Sequence, residues 1–386
     1  MRYKLGEIFN LQMGKTPDRH SPKFWNEGTE PWISIADLTK CIKYIENTAE
    51  KITATAVDES GIKIIPKNTV IMSFKLSIGK VAITPKEMYS NEAIMSFIDK
   101  GVLKIEPVYL YYLLMHKDWD TGTNKAVMGK TLNKASLSQM TVNIHGYSEQ
   151  LEIIKALDAA SSIIAARKQQ LTELDNLIKA RFVEMFGDPV QNPLKWVTKS
   201  LLEMGYCKNG VNFHSGDSGI EIHCLGVGDF KDYSVVDGTD YLPTISLSEE
   251  PPEESMLQDG DIVFVRSNGN KALVGRCLVV YPHNTPTTYS GFCIRYRLTS
   301  DEVNTSYLLR VLKADSMRKK MIGRGANIQN LNQKTLATLN IPIPPMELQE
   351  QFAEFVEQTD KSKVAVQKAL DEAQLLFDSL MQKYFG

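Results

Sequence analysis

Leu132-Asn133-Lys134-Ala135-Ser136-Leu137 recurs 199 residues later as Leu331-Asn332-Gln333-Lys334-Thr335-Leu336, and this repeat decides the fold. The same offset aligns three further pairs, which are Ile144 with Ile343, Gln150 with Gln349, and Phe186-Gly187 with Phe385-Gly386. Self-similarity at a fixed offset indicates an internal duplication. The chain of 386 residues is therefore predicted to contain two structurally similar halves.

Each half ends in an apolar stripe with spacings of three and four residues, which predicts a long amphipathic helix. The predicted helices are 147–187 and 346–386, and neither contains a proline. The first stripe comprises Ile153, Leu157, Ala160, Ile164, Arg167, Leu171, Leu174, Ile178, Arg181 and Met185. The second comprises Phe352, Val356, Thr359, Lys363, Val366, Leu370, Ala373, Phe377, Leu380 and Tyr384. Matched stripes favour pairing of the two helices with each other. The alternative, in which each helix packs on its own globular domain, stays open.

The remaining segments, 1–146 and 188–345, are predicted to be mixed α/β globular domains. Short β-branched or aromatic runs bounded by glycine, proline or asparagine indicate strands. These runs are 62–65, 69–74, 81–83, 261–265, 277–281 and 293–296. Helical stretches follow in each half, at 107–114 and 305–312.

Composition excludes several classes of protein. Hydrophobic residues make up 43% and charged residues 23%, which is ordinary for a globular chain. No apolar run approaches the roughly 18 residues of a membrane span, and the N-terminus lacks the apolar core of a signal peptide. We therefore expect a cytoplasmic protein. Five cysteines without a C-x-x-C pair indicate neither a disulfide framework nor a zinc ribbon. A metal site at Cys207, His214, His223 and Cys224 is disfavoured, because adjacent residues of an extended chain point to opposite faces.

The charge is distributed unevenly along a chain whose net charge is −2. Residues 60–86 and 262–300 contain five basic side chains each and no acid, and residues 310–334 contain seven against one. From 346 onward acids outnumber lysines by eight to four. Basic patches on a nearly neutral chain are typical of a protein that contacts DNA on one face and proteins on another.

Catalytic motifs are missing from the sequence. It contains no G-x-x-x-x-G-K-[ST], no complete G-x-G-x-x-G, no G-x-S-x-G, no H-E-x-x-H, and no asparagine-proline-proline-aromatic motif of the kind that amino-group DNA methyltransferases carry. We therefore expect no catalytic site and no metal site.

Basic loops that also contain glycine and amide side chains occur at matched places in the two halves. Lysine and arginine neutralise phosphates, and arginine, asparagine and glutamine can read guanine and adenine edges. The predicted DNA-binding residues of the first half are Lys75, Lys80, Lys130, Asn133 and Lys134. Those of the second half are Arg266, Asn268, Lys271, Arg324, Asn327, Gln329 and Asn332. For any single loop, the alternative is an ordinary solvent-exposed turn. Because both loops recur in both halves, the sequence favours DNA binding.

Three motifs give the chain a resemblance to a known family. They are Phe182-Val183-Glu184-Met185-Phe186-Gly187-Asp188-Pro189 followed by Trp196, Gly325-Ala326-Asn327-Ile328-Gln329-Asn330-Leu331, and Ile341-Pro342-Ile343-Pro344-Pro345-Met346-Glu347-Leu348-Gln349-Glu350-Gln351. With the two-half layout, they resemble the specificity subunit of type I restriction-modification systems over the whole chain. The first half departs from the third motif, since Val142-Asn143-Ile144-His145-Gly146 lacks the paired prolines.

The resemblance implies a specific architecture and function. Two target-recognition domains, 1–146 and 188–345, would each read one half of a bipartite, asymmetric DNA target, separated by two helices in an antiparallel coiled coil. The subunit would be non-catalytic. It would dock two methyltransferase subunits, which use S-adenosylmethionine, and through them ATP-dependent restriction subunits, with no cofactor bound by this chain. Two alternatives stay open: a stand-alone DNA-binding regulator with a coiled-coil spacer, and a DNA methyltransferase with cryptic motifs.

Overall fold

A computed structural model of the chain describes residues 1–75, 77–119, 124–126, 129–213, 216, 218–230, 234–322 and 330–386, with the backbone alone at 124–126 and 129–131. The chain forms two compact units. The first consists of Met1–Lys168 with Lys368–Gly386, and the second of Gln169–Gln367. In the described residues, no helix is both long enough and apolar enough to cross a membrane.

The first unit is built on a four-stranded antiparallel sheet with the strand order Phe9–Met13, Ile94–Asp99, Val70–Ser73, Val81–Ile83. A three-stranded sheet has the order Glu50–Ile52, Glu30–Ile33, Tyr89–Ser90. Two strand pairs complete it, Arg2–Lys4 with Thr141–Asn143 and Asn124–Ala126 with Gly129–Thr131. Its short helices are Leu5–Ile8, Pro22–Trp25, Ile35–Lys40, Ala54–Ser60, Pro107–His116 and Lys134–Gln139.

The second unit repeats this plan with a five-stranded sheet, whose order is Gly205–Asn209, Cys293–Leu298, Asp261–Val265, Cys277–Tyr281, Val235–Asp237. A three-stranded sheet has the order Thr244–Leu247, Ile220–Leu225, Thr287–Tyr289, and Val197–Ser200 pairs with Asn340–Ile343. Its α-helices are Thr305–Lys313, Asp315–Ile322 and Gln333–Ala337, and its 3-10 helices are Leu201–Glu203, Val227–Phe230 and Glu253–Ser255. The predicted mixed α/β class and the internal duplication are confirmed.

All of the predicted strands and helices but one are present. The run 62–65 is not a strand, and only Ile65 makes an isolated bridge, to Met88. Ile62 and Ile65 are buried whereas Ile64 is 42% exposed, so the apolar residues of this run do not alternate as they would in a half-buried strand. The strand prediction was wrong because Ile62 and Ile65 are apolar in order to be buried, and not because the run pairs with a neighbouring strand.

The two long helices are Tyr147–Phe186, the central helix, and Met346–Phe385, the C-terminal helix, each of 40 residues. Gly187 ends the central helix with a φ of +72°, a left-handed conformation that glycine adopts without strain. At about 1.5 Å per residue each helix is roughly 60 Å long.

Both helices contribute to the hydrophobic core of each unit. In the first unit Leu157, near the start of the central helix, belongs to the same core as Met381, near the end of the C-terminal helix. In the second unit Phe182 and Phe352 share a core, and their ring centroids are 5.5 Å apart. Early residues of one helix thus pack with late residues of the other, which is the predicted antiparallel pairing. Because these cores also include the sheets, packing on the globular bodies accompanies the pairing.

A buried glutamine fastens each long helix to its globular body. Gln349 is fully buried, and its Oε1 accepts a hydrogen bond from the backbone N–H of Asn304 (2.9 Å). Its Nε2 donates to the carbonyls of Glu302 (3.0 Å) and Pro344 (2.8 Å). The repeat-related Gln150, 1% exposed, makes the same three kinds of bond: it accepts from the Glu106 N–H and donates to the carbonyls of Lys104 and His145. The two glutamines therefore match in the sequence because each attaches its long helix to its globular body in the same way.

Candidate nucleic-acid interface

The first predicted loop of each half connects two antiparallel strands of the main sheet. In the first unit the loop 74–80 is closed by the Ser73 N–H, which donates to Lys80 O (2.9 Å), and the Gly79 N–H, which donates to Ser73 O (3.0 Å). In the second unit the loop 266–276 is closed in the same way. There the Val265 N–H donates to Arg276 O (2.9 Å) and the Gly275 N–H to Val265 O (3.0 Å). The two loops are therefore structurally equivalent.

The second predicted loop of each half lies against the first. The Leu132 N–H donates to Phe74 O (3.1 Å), and the repeat-related Leu331 N–H donates to Arg266 O (2.8 Å). A third segment joins each contact, because the Phe74 N–H donates to Ala93 O (3.0 Å) and the Arg266 N–H to Phe292 O (2.8 Å). We call this meeting of three segments the loop junction. Loops that are far apart in the sequence therefore converge at one place in each unit.

The basic side chains at the junctions differ in how firmly the protein holds them. Lys80 donates to Thr39 Oγ1 (2.5 Å), and Lys75 Nζ lies 5.3 Å from the centroid of the Phe74 ring. Arg266 is half-buried, and its Nη1 donates to Gly291 O (3.3 Å). Lys271 is exposed, as is Lys134. Their charges stand at the surface of the two junctions.

Three predicted asparagines already have partners within their own loops. Asn133 Oδ1 accepts from the Ser136 N–H, and the repeat-related Asn332 Oδ1 accepts from the Thr335 N–H, both at 2.8 Å. Both residues are helix N-caps, a role for which asparagine is among the preferred residues. Asn268 Oδ1 accepts from the Asn270 N–H (2.8 Å). Capping explains why this part of the repeat is retained in both halves.

The other predicted residues lie outside what the structure describes. Arg324, Asn327 and Gln329 fall among residues 323–329, which are outside the described residues. Lys130 belongs to the strand Gly129–Thr131 opposite Lys125, but only its backbone is described. Their place at the junctions stays a prediction.

The two basic stretches of the second unit, 262–300 and 310–334, do not form continuous basic surfaces. Arg295 is fully buried, and its Nη2 donates to Glu254 O (2.8 Å). Arg297 forms a two-bond ion pair with buried Asp261, at 2.8 Å for each contact. Burial also lowers the pKa of Arg310 and of Lys313. Part of the basic charge in 262–300 and 310–334 therefore stabilises the second unit from inside. The exposed part lies in the loop 266–276, at Lys271, and on two helices, at Lys319, Lys320 and Lys334.

The third segment of each junction was not among the predicted residues. It is Asn91-Glu92-Ala93 in the first unit and Ser290-Gly291-Phe292 in the second. These segments stand 199 residues apart, so the repeat offset is the signal that identifies them. Elsewhere the described residues contain no group of three or more His, Cys, Asp or Glu side chains that could hold a metal ion.

Comparisons with known proteins agree with this arrangement. The family model described as type I restriction modification DNA specificity domain matches residues 1–176 and 232–373. The MjaIX specificity subunit of Methanocaldococcus jannaschii, a type I restriction enzyme, is 23% identical over 98% of this chain and 91% of its own length. The StySPI specificity subunit of Salmonella potsdam is 24% identical over 73% of this chain and 65% of its own.

Two solved structures share the fold. The S subunit of a type I restriction-modification system from M. genitalium has a TM-score of 0.55 at 15% identity, covering 100% of this chain and 96% of the other. A chain from a study of complex assembly and conformational transition of the type I restriction-modification system has a TM-score of 0.60 at 16% identity, with 100% and 97% covered.

Proposed function

The chain belongs to the type I restriction modification DNA specificity family, and from this premise we propose that each of its globular bodies reads one half of a bipartite DNA target. The observation that carries the proposal is the loop junction, which recurs in both units with the same backbone hydrogen bonds. Its loops present lysine and arginine side chains, which bind phosphates and guanine edges. The chain would thereby select the target of a type I restriction-modification complex.

The target is asymmetric in this proposal, because the two junctions carry different side chains on one scaffold. Phe74, 1% exposed, stands where the second unit has half-buried Arg266. Ala93 in turn stands where the second unit has Phe292. Phosphate contacts position a protein on DNA, whereas base contacts specify the sequence. Different side chains at equivalent places therefore favour different half-site sequences.

We propose that this chain carries out no chemical step, and that S-adenosylmethionine and ATP bind partner subunits. The absence of catalytic motifs from the sequence supports this, as does the state of the cysteines. Burial raises the pKa of the Cys207 and Cys224 thiols to about 12. A thiol of this kind is protonated at neutral pH and is a poor nucleophile.

The proposed partners are two methyltransferase subunits, which in turn associate with restriction and translocase subunits in the cytoplasm. A duplicated chain offers two equivalent sites to two copies of one partner. The C-terminal helix also forms one side of a groove of about 860 Å³ in the second unit. Five acids line the groove, against three basic side chains: Asp237, Glu350, Glu354, Glu357 and Asp360, against Arg310, Lys361 and Lys363. An excess of acidic side chains disfavours DNA phosphates, so this groove suits a protein partner.

The test uses the chain alone and the chain co-expressed with the methyltransferase subunit of the same system. Isothermal titration of the isolated chain with S-adenosylmethionine should give no binding. The complex should methylate adenine at one two-part sequence, which sequencing of methylated sites would report. Binding of S-adenosylmethionine by the isolated chain would instead favour a methyltransferase, and methylation without sequence preference would refute the proposed role.

A further inference from the structure

We propose that Phe292 is a base-contacting residue of the second body and that its ring packs against the methyl group of a thymine. This inference rests on the proposed function and names one residue that determines specificity within it. Phe292 is 62% exposed although it is a large apolar side chain. It stands at the loop junction, directly opposite Arg266.

The backbone holds Phe292 in one position. Its carbonyl accepts from two amides, the Arg266 N–H at 2.8 Å and the Ser267 N–H at 3.2 Å. Its own N–H donates to Ser290 Oγ (3.3 Å). The buried strand Cys293–Leu298 follows at once. The ring is therefore presented to solvent by a fixed scaffold rather than by a free loop, as a base-reading side chain requires.

The surroundings of the ring suit DNA. The Arg266 guanidinium donates to Gly291 O (3.3 Å), which places a positive charge beside the residue that precedes Phe292. The Gly291 N–H donates to Val211 O (2.6 Å), and the side chain of the next residue, Asn212, packs against Gly291, which supports the segment on its other side. An apolar ring next to a cation matches DNA, because the thymine methyl in the major groove takes apolar contacts and the cation neutralises a phosphate.

The first unit provides the comparison that makes this a specificity residue. Ala93 occupies the equivalent place, and its carbonyl accepts the equivalent bond, from the Phe74 N–H (3.0 Å). The scaffold therefore does not need an aromatic ring here. A phenylalanine that the fold does not require, exposed at the predicted interface, indicates selection for a contact.

The test measures DNA binding by the complex with the methyltransferase subunit. Each thymine of the half-site read by the second body is replaced in turn by deoxyuridine, which lacks the methyl group. For the unaltered protein, one replacement should weaken binding roughly fourfold, the effect of leaving one methyl group unburied. Phe292→Ala should bind the natural target more weakly and should be insensitive to that replacement.

The control is Leu194→Ala, which removes another exposed apolar side chain of the same unit (51%) and should leave affinity and deoxyuridine sensitivity unchanged. Thermal unfolding of Phe292→Ala should match that of the unaltered chain. The inference is overturned if Phe292→Ala retains the sensitivity, if it weakens all DNA sequences equally, or if the half-site contains no thymine. Failure of the unaltered complex to prefer any sequence would instead refute the proposed function.

Discussion

Removing the buried Gln349 of the second unit should destabilise the protein far more than removing an exposed glutamine from the same helix. Gln349→Ala removes a fully buried side chain and leaves the Asn304 N–H and the carbonyls of Glu302 and Pro344 without their partner, of which the Pro344 bond is buried and the other two are partly buried. An unsatisfied buried group costs roughly 1–3 kcal/mol, and carbonyls cost less than N–H groups. We therefore expect the free energy of unfolding to fall by about 3 kcal/mol.

The matched control is Gln351→Ala, which removes the same side chain from an exposed place two residues further along the same helix. Its effect should lie within about 0.5 kcal/mol of zero, as is usual at the surface. Urea unfolding monitored by circular dichroism would compare the two variants. Equal midpoints would refute the role of Gln349 as the attachment between helix and body.

Three further predictions concern charge and spacing. Asp261→Asn removes the carboxylate that pairs with Arg297 and leaves that charge only the Met256 carbonyl, so the free energy of unfolding should fall by about 3 kcal/mol in a denaturant titration, whereas Asp301→Asn at an exposed site should have little effect. Lys271→Ala and Arg324→Ala should each reduce the slope of log affinity against log salt concentration by about 1, the loss of one phosphate contact, whereas Lys361→Ala should leave the slope unchanged. Identical slopes in all variants would show that these loops do not contact DNA. Insertion of four residues in the 160s, about 6 Å of helix, should lengthen the spacer between half-sites by about two base pairs in sequenced methylation sites; an unchanged spacer in a folded protein would show that the helices do not set it.

The helices and the duplication were accessible from the sequence because their signals are local and repeated. A stripe such as Ile153, Leu157 and Ala160 records burial along one face without reference to other parts of the chain. The helix caps were accessible too, since Asn133 and Ser136 have the spacing of a capping box. That signal was assigned instead to DNA, because an asparagine in a basic loop has the right chemistry for both roles.

The exposure of each basic side chain could not be predicted from the sequence in the same way. Whether an arginine faces solvent depends on partners that are distant in the sequence, as Asp261 is from Arg297 on another strand of the same sheet. An acid-free stretch therefore gives the sign of the charge but not its exposure. The loop junctions raise the same difficulty, because Phe292 meets Arg266 only after the strands have paired in register.

The central claim is that the two bodies read their half-sites independently, and exchanging one body tests it most directly. Residues 1–146 would be replaced by the corresponding body of another member of the family, and the hybrid would be assembled with the methyltransferase subunit. Sequencing of methylated sites should then show a new sequence in one half of the target and the original sequence in the other. A change in both halves, or in neither, would contradict the account.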